Sequence, residues 1–304
     1  MKVSRRAFLR LAGALGAAAV VDRPEKARAA RARPDPDETL AMLVDTTLCV
    51  GCRACEAACS EANRLPEPAM LGEESVFEKK RTTDSRTYTV VNRHPNPNGD
   101  GAPRFVKTQC MHCVEPACAS ACPVRALEKT PEGPVVYHPD RCIGCRYCMV
   151  ACPFGVPKFE YEKAIPSIQK CSFCIHRLRQ GKLPACAQVC PTGALKFGKR
   201  KELLEVARTR IYQNPGRYVH HIYGEHEVGG TGWLYITDVP FEQLAFRMDL
   251  GTAPYPELTW TSLSAVPFAL MLLPPFLMGL YLFTKEREGA AQAEAAEKQE
   301  TRHE

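Results

Sequence analysis

Net charge is nearly absent from the body of this 304-residue chain. It carries 40 Lys+Arg against 34 Asp+Glu, but residues 1–29 hold seven of the basic ones (Lys2, Arg5, Arg6, Arg10, Arg23, Lys26, Arg28) and only Asp22 and Glu25 of the acidic ones, leaving 33 against 32. A near-neutral body offers no field to track a phosphate backbone, so nucleic acid is excluded as a partner. Also missing are a glycine-rich nucleotide loop, a nucleophile beside its base and an open metal site of mixed ligands, so the chain reads as non-catalytic. No cysteine stands outside the pattern either: all sixteen lie between Cys49 and Cys190, in four groups of four. Disulfides do not call for repeated tight C-x-x-C spacing, and a chain this long does not need so many staples. With 45% hydrophobic and 24% charged residues the chain is long enough for one sizeable core or two small ones, which excludes disorder.

The first group, Cys49, Cys52, Cys55 and Cys59, and the third, Cys142, Cys145, Cys148 and Cys152, share the spacing x2, x2, x3. The second, Cys110, Cys113, Cys118 and Cys122, lengthens the middle gap to four residues; the fourth, Cys171, Cys174, Cys186 and Cys190, opens it to eleven. This is the bacterial 4Fe-4S pattern. Three close thiolates on a curling loop cap three irons of one cubane. The fourth, one helical turn further on, points to a neighbouring cluster, and the proline that follows (Pro123, Pro153, Pro191) ends the local pattern. Ser60 stands where the other groups have that proline, which leaves the geometry after Cys59 open. Zinc also uses C-x2-C pairs but has no use for a third cysteine three residues later. Sixteen thiolates supply four 4Fe-4S clusters with four ligands each and leave no vacancy for His112 or His176. Gly51 and Gly144 let backbone N–H groups approach cluster sulfur, and Val50 and Ile143 shield the clusters from water. Lys107, Arg53, Arg146 and Lys170 read equally as counter-charges and as solvated surface residues.

The N-terminus, Ser4-Arg5-Arg6-Ala7-Phe8-Leu9-Arg10, then a mildly apolar run to Val21 and Ala27-Arg28-Ala29, predicts a twin-arginine export signal over 1–29. That route carries folded proteins, so clusters loaded in the cytosol reach an oxidising compartment without disulfide pairing. Residues 258–284 hold 27 uncharged positions between Glu257 and Lys285, enough for one membrane span, kinked by Pro267, Pro274 and Pro275. Lys285 and Arg287 place the C-terminus in the cytoplasm and the cysteine body in the periplasm. The tail, 285–304, reads as a loose cytoplasmic helix or coil. Short strands are expected over 41–44, 105–107, 135–138, 194–197 and 233–237, a turn at Pro131-Glu132-Gly133-Pro134, and a helix over 201–212 buried through Leu203, Leu204, Ala207 and Ile211. The insert 60–109 reads as a hairpin with a long loop at Asn96-Pro97-Asn98-Gly99-Asp100-Gly101 and carries no evident chemistry. His220 and His221 read as packing.

Over residues 40–200 these motifs resemble the four-cluster ferredoxin-like subunits of respiratory oxidoreductases, a group with formate dehydrogenase beta, dimethyl sulfoxide reductase and nitrite reductase types. Leu48-Cys49-Val50-Gly51-Cys52, Gln109-Cys110-Met111-His112-Cys113, Cys145-Arg146-Tyr147-Cys148-Met149-Val150-Ala151-Cys152-Pro153-Phe154 and Tyr223-Gly224-Glu225-His226-Glu227-Val228-Gly229-Gly230-Thr231 are most similar to iron-sulfur subunits of hydrogenase-2 type, periplasm-facing nickel-iron hydrogenases. The resemblance implies an α+β fold of two pseudo-symmetric ferredoxin-like halves over 40–200, a C-terminal extension over 201–257 and one transmembrane helix. It implies ligand sets of Cys49, Cys52, Cys55 and Cys190; Cys171, Cys174, Cys186 and Cys59; Cys110, Cys113, Cys118 and Cys152; and Cys142, Cys145, Cys148 and Cys122. Implied partners are the hydrogenase small and large subunits, a multi-span quinone-reactive membrane subunit and the membrane. A formate dehydrogenase or other molybdopterin oxidoreductase is the alternative.

Overall fold

The computed structural model describes residues 35–68, 71–96 and 102–300. The expected export signal over 1–29 and the Asn-Gly-Asp-Gly part of the insert loop lie outside the described residues.

Along the chain, strand β1 (Leu40–Asp45) leads into helix α1 (Ala54–Asn63), followed by the hairpin of β2 (Val90–His94) and β3 (Arg104–Thr108). Next come α2 (Ala117–Ser120), the hairpin of β4 (Leu127–Lys129) and β5 (Val135–Tyr137), and α3 (Tyr147–Ala151). The pair β6 (Lys158–Phe159) and β7 (Ile168–Gln169), then α4 (Ile175–Leu178) and α5 (Ala185–Gln188), precede β8 (Leu195–Lys199). Helix α6 (Arg200–Gln213), β9 (Trp233–Ile236) and the long α7 (Tyr255–Glu300) complete the order.

β1 is the centre of a three-stranded sheet, antiparallel to β8 and parallel to β9, with Met42 opposite both Phe197 and Trp233. Its unbroken apolar run is explained by cover on both faces. Ala41 and Leu43 pack with Leu234 and Ile236 against Leu203, Leu204, Ala207 and Ile211 of α6. Met42 and Val44, pointing the other way, join Trp233, Tyr235, Phe173 and Phe241 over Cys55, Cys186 and Cys190. The face away from α6 is thus the floor on which cysteine loops sit.

Helices of different cysteine groups pack in pairs, α1 with α5 and α2 with α3. Strand pairing follows: β1, ahead of the first group, joins β8, after the fourth, while β4, after the second, joins β5, ahead of the third. Thr130 and Pro134 close the turn between β4 and β5.

One expectation needs revision. The insert is the hairpin β2–β3, but it is not inert, because Arg81 and Lys107 reach from it into the cysteine region. Helix α7 runs through Pro267, Pro274 and Pro275 to Glu300, so the described part of the 285–304 tail is helical, one of the two forms expected for it. Within it Ala265–Gly289 is long and apolar enough to cross a membrane, none of it is buried by the rest of the chain, and the helix meets α2.

Candidate cluster sites

The first and third cysteine loops trace one backbone path. Gly51 and Gly144 stand at φ +71° and +70°, and Arg53 and Arg146 both at +59°, immediately before α1 and α3. Two left-handed residues curl each loop so that three thiols face inward. The N–H groups that Gly51 and Gly144 free do approach sulfur: Gly51 donates to Cys49 and Gly144 to the Cys142 Sγ at 3.4 Å. Phe173 and Ala126 do the same for Cys171 and Cys122, at 3.4 and 3.2 Å.

The fourth residue of each group lies with another group's thiols. One cavity is lined by Cys49, Cys52, Cys55 and Cys190, a second by Cys59, Cys171, Cys174 and Cys186, and a third by Cys122, Cys142, Cys145 and Cys148. The remaining four also converge: after burial, the influences that most oppose ionisation of Cys113 are Cys110, Cys118 and Cys152. Neighbouring quartets lie close enough for Cys55 and Cys186, Cys171 and Cys110, and Cys118 and Cys148 to oppose one another's ionisation. The quartets therefore form a row, numbered here as site one (Cys49), site two (Cys171), site three (Cys110) and site four (Cys142). Cys52 and Cys145, at the two ends of the row, are exposed, while Cys59, Cys174 and Cys186 of site two are all buried.

Burial pushes the thiols of Cys59 and Cys118 up to about 12 and that of Cys148 to about 11. Four such groups deprotonate together only around bound cationic metal, so loading a site releases protons. The spacing bears on which metal. Among the described residues no three of His, Cys, Asp or Glu gather closely enough to hold a single ion. A zinc ion with bonds of about 2.3 Å would draw four sulfurs to within roughly 3.8 Å of one another, whereas a cubane separates them more widely. The quartets fit the polynuclear group. It would supply one-electron chemistry when bound.

His112 is fully buried, accepts the Val135 N–H on Nδ1 at 2.9 Å and stacks edge-on against Phe173; His176 is exposed on α4. Val50 and Ile143 border sites one and four but remain more than half exposed, 58% and 64%, so the shield they offer is thin. Lys107, Lys170 and Arg53 are buried and Arg146 is exposed. Lys170 donates to the carbonyls of Val135 and Cys171, and Lys129, its ammonium pulled down to about 8 by burial, to those of His112 and Cys113. His221 pairs with Glu227 at 2.7 Å and packs on Phe241, apart from every quartet.

Sequence reasoning missed Asn63. With serine rather than proline at position 60, α1 runs on for ten residues while α3 stops after five. The added turn lets Asn63 donate to the Cys59 carbonyl at 2.8 Å and face its Sγ at 3.6 Å, on the wall of site two. Ser60 was the signal.

Residues 102–200 match the family described as 4Fe-4S dicluster domain. A protein of Nitratidesulfovibrio vulgaris (strain Hildenborough) is 50% identical over 97% of this chain and 80% of its own length. The Hydrogenase-2 operon protein HybA of Escherichia coli O157:H7 is 40% identical over 71% of this chain and 75% of its own. The nitrate-inducible formate dehydrogenase iron-sulfur subunit of Escherichia coli K12 is 36% identical over 65% and 67%. On motif, geometry and relatedness together, the chain belongs to the family of 4Fe-4S iron-sulfur proteins that contains these hydrogenase-2 and formate dehydrogenase proteins.

Proposed function

We propose that this chain is a non-catalytic electron-transfer subunit carrying four 4Fe-4S clusters, held by the four quartets in two pseudo-symmetric ferredoxin-like halves. It relays electrons between a periplasmic nickel-iron hydrogenase, through the small and large subunits, and a multi-span membrane subunit that reacts with quinone. The observation that carries the reading is the row of quartets, each completed by a cysteine from another motif, with an exposed cysteine at either end. A wire needs that arrangement; a zinc scaffold does not. The similarity to a protein named for the hydrogenase-2 operon supports the partner. Relatives named as formate dehydrogenase iron-sulfur subunits favour the second reading, in which a molybdopterin enzyme supplies the electrons.

In this reading the twin-arginine signal exports the loaded chain, and Ala265–Gly289 with Lys285 and Arg287 behind it anchors it with the clusters outside. The meeting of α7 with α2, which bears Cys118, favours sites three and four as the membrane end of the row. Deleting the chain is expected to leave hydrogen oxidation by an artificial dye largely intact and to abolish hydrogen-dependent quinone reduction. Surviving quinone reduction would remove the chain from the circuit; loss of formate rather than hydrogen activity would select the second reading.

A further inference from the structure

Lys107 on β3 lines both site one and site two, and it is only 3% exposed. Its Nζ donates to Thr89 Oγ1 at 2.6 Å and Gln109 Oε1 at 3.1 Å and sits 4.6 Å above the Trp233 ring. All three partners are neutral. Lys107 shares one cavity wall with Cys49, Cys52, Cys55 and Cys190 of site one and another with Cys59, Cys171, Cys174 and Cys186 of site two. Among the described residues no carboxylate forms an ion pair with it. Glu56, the nearby acid, is taken by Arg53 and Arg81. A buried ammonium held by neutral groups alone is strongly unfavourable, so its seat makes sense only with negative charge on either side. Two four-thiolate clusters are negative in every redox state and become more so on reduction.

We propose that Lys107 is a positioning residue that acts as the shared counter-ion of sites one and two, raising the reduction potential of both and keeping them close together. The inference rests on the cluster-carrying reading above. A fixed positive charge between two sites favours the reduced form of each, and an electron that hops from one to the other stays beside the same charge. Lys129 donates to the Cys113 carbonyl of site three and Lys170 to the Cys171 carbonyl at the edge of site two, and the cation at site four, Arg146, is solvent-exposed.

The test is a potentiometric titration followed by electron paramagnetic resonance on the purified full-length chain, with iron counted on the same sample. In Lys107→Met, two of the four couples should fall so that the reduced fraction at fixed potential drops at least tenfold, which is 59 mV for a one-electron couple. The other two should move less than threefold. Lys107→Arg should retain most of the wild-type potentials, and Lys129→Met should move a different couple. If Lys107→Met loses iron, Lys107→Gln, which keeps a hydrogen bond to Thr89 without the charge, carries the same reading. Four unmoved couples at full iron content, or four that fall equally, would overturn the role of Lys107 alone. Wild-type iron far below about sixteen atoms per chain would instead sink the cluster reading on which it rests.

Discussion

In the first cysteine loop Arg53 turns inward: its Nε and Nη2 reach Glu56 Oε2 at 3.2 and 3.0 Å, and Arg81 and the Val91 N–H close on Oε1, each at 2.6 Å. In the third loop the residue corresponding to Glu56 is Met149, which offers no charge, and Arg146 lies in the open over Phe159 and Tyr161, 5.7 and 5.6 Å from their ring centres. The two loops share spacing and dihedral angles but not surroundings. The hairpin β2–β3 covers the first, bringing Phe105 over Gly51 and Lys107 against the thiols. Beside the third lie the short pairs β4–β5 and β6–β7, through Leu127, Tyr137 and Ile168. Spacing decides how a cysteine loop curls; distant strands decide how dry and how charged its cluster site is.

The largest difference between these loops should appear when the fourth cysteine is removed. Cys59→Ser is expected to destroy site two, whose other thiols Cys171, Cys174 and Cys186 lie more than a hundred positions along the chain, and to leave site one in place. Cys152→Ser should do the same to site three. Resolved paramagnetic signals of the reduced protein decide it, and loss confined to the cluster at Cys49, Cys52 and Cys55 would show that each loop closes on itself.

The loops, the two hairpins β2–β3 and β4–β5 and the buried face of α6 were legible in the sequence because each is written in local spacing. The first-loop surroundings were not. Lys107 and Arg53 lay near cysteines in the sequence, as did Arg146, and nothing local says that the first two are buried and the third is not. That outcome depends on the hairpin folding over one loop, a contact between segments 35 positions apart in the case of Glu56 and Val91. The insert looked inert for the same reason. Ser60 was visible as a departure, but its consequence, the extra turn that delivers Asn63, required the helix to be followed onward.

Giving the first loop the residue of the third sharpens the comparison next. Glu56→Met removes the carboxylate that two guanidinium groups share, one of them buried, and is expected to cost about 3–5 kcal/mol. The cost should depend on pH. Burial raises the Glu56 carboxyl, but the bonds from Arg81, Arg53 and the Val91 N–H outweigh it and hold it below the ordinary carboxylate range. Its folded pKa therefore lies below the unfolded value of about 4.3, so the stabilisation is complete above that pH and drains away as pH falls through the folded value. The gap in apparent unfolding midpoint between wild type and variant should be widest near neutrality and narrow in acid. A gap that widens in acid would mean that the carboxylate is not the paired form.

The smallest expected effect separates the loops at their glycines. Gly144→Ala places a methyl 3.6 Å from the Phe159 ring, an ordinary contact, and adds only the cost of a left-handed alanine, about 1–2 kcal/mol. Gly51→Ala has the same backbone cost, but its methyl would lie 2.4 Å from Phe105 Cε1, on a ring already packed against Phe77 at 5.2 Å between centres. Overpacking of that kind adds about 1–3 kcal/mol, so the first-loop variant should unfold at the lower temperature. Trimming the ring tests the cause, because Phe105→Leu combined with Gly51→Ala removes the obstacle and leaves the backbone cost. Relative to Phe105→Leu alone, the added alanine should then cost no more than Gly144→Ala does, a coupling that a double-mutant cycle reads directly. If the alanine costs as much with leucine at 105 as with phenylalanine, the ring is not what constrains the first loop, and the two loops differ less than their surroundings indicate.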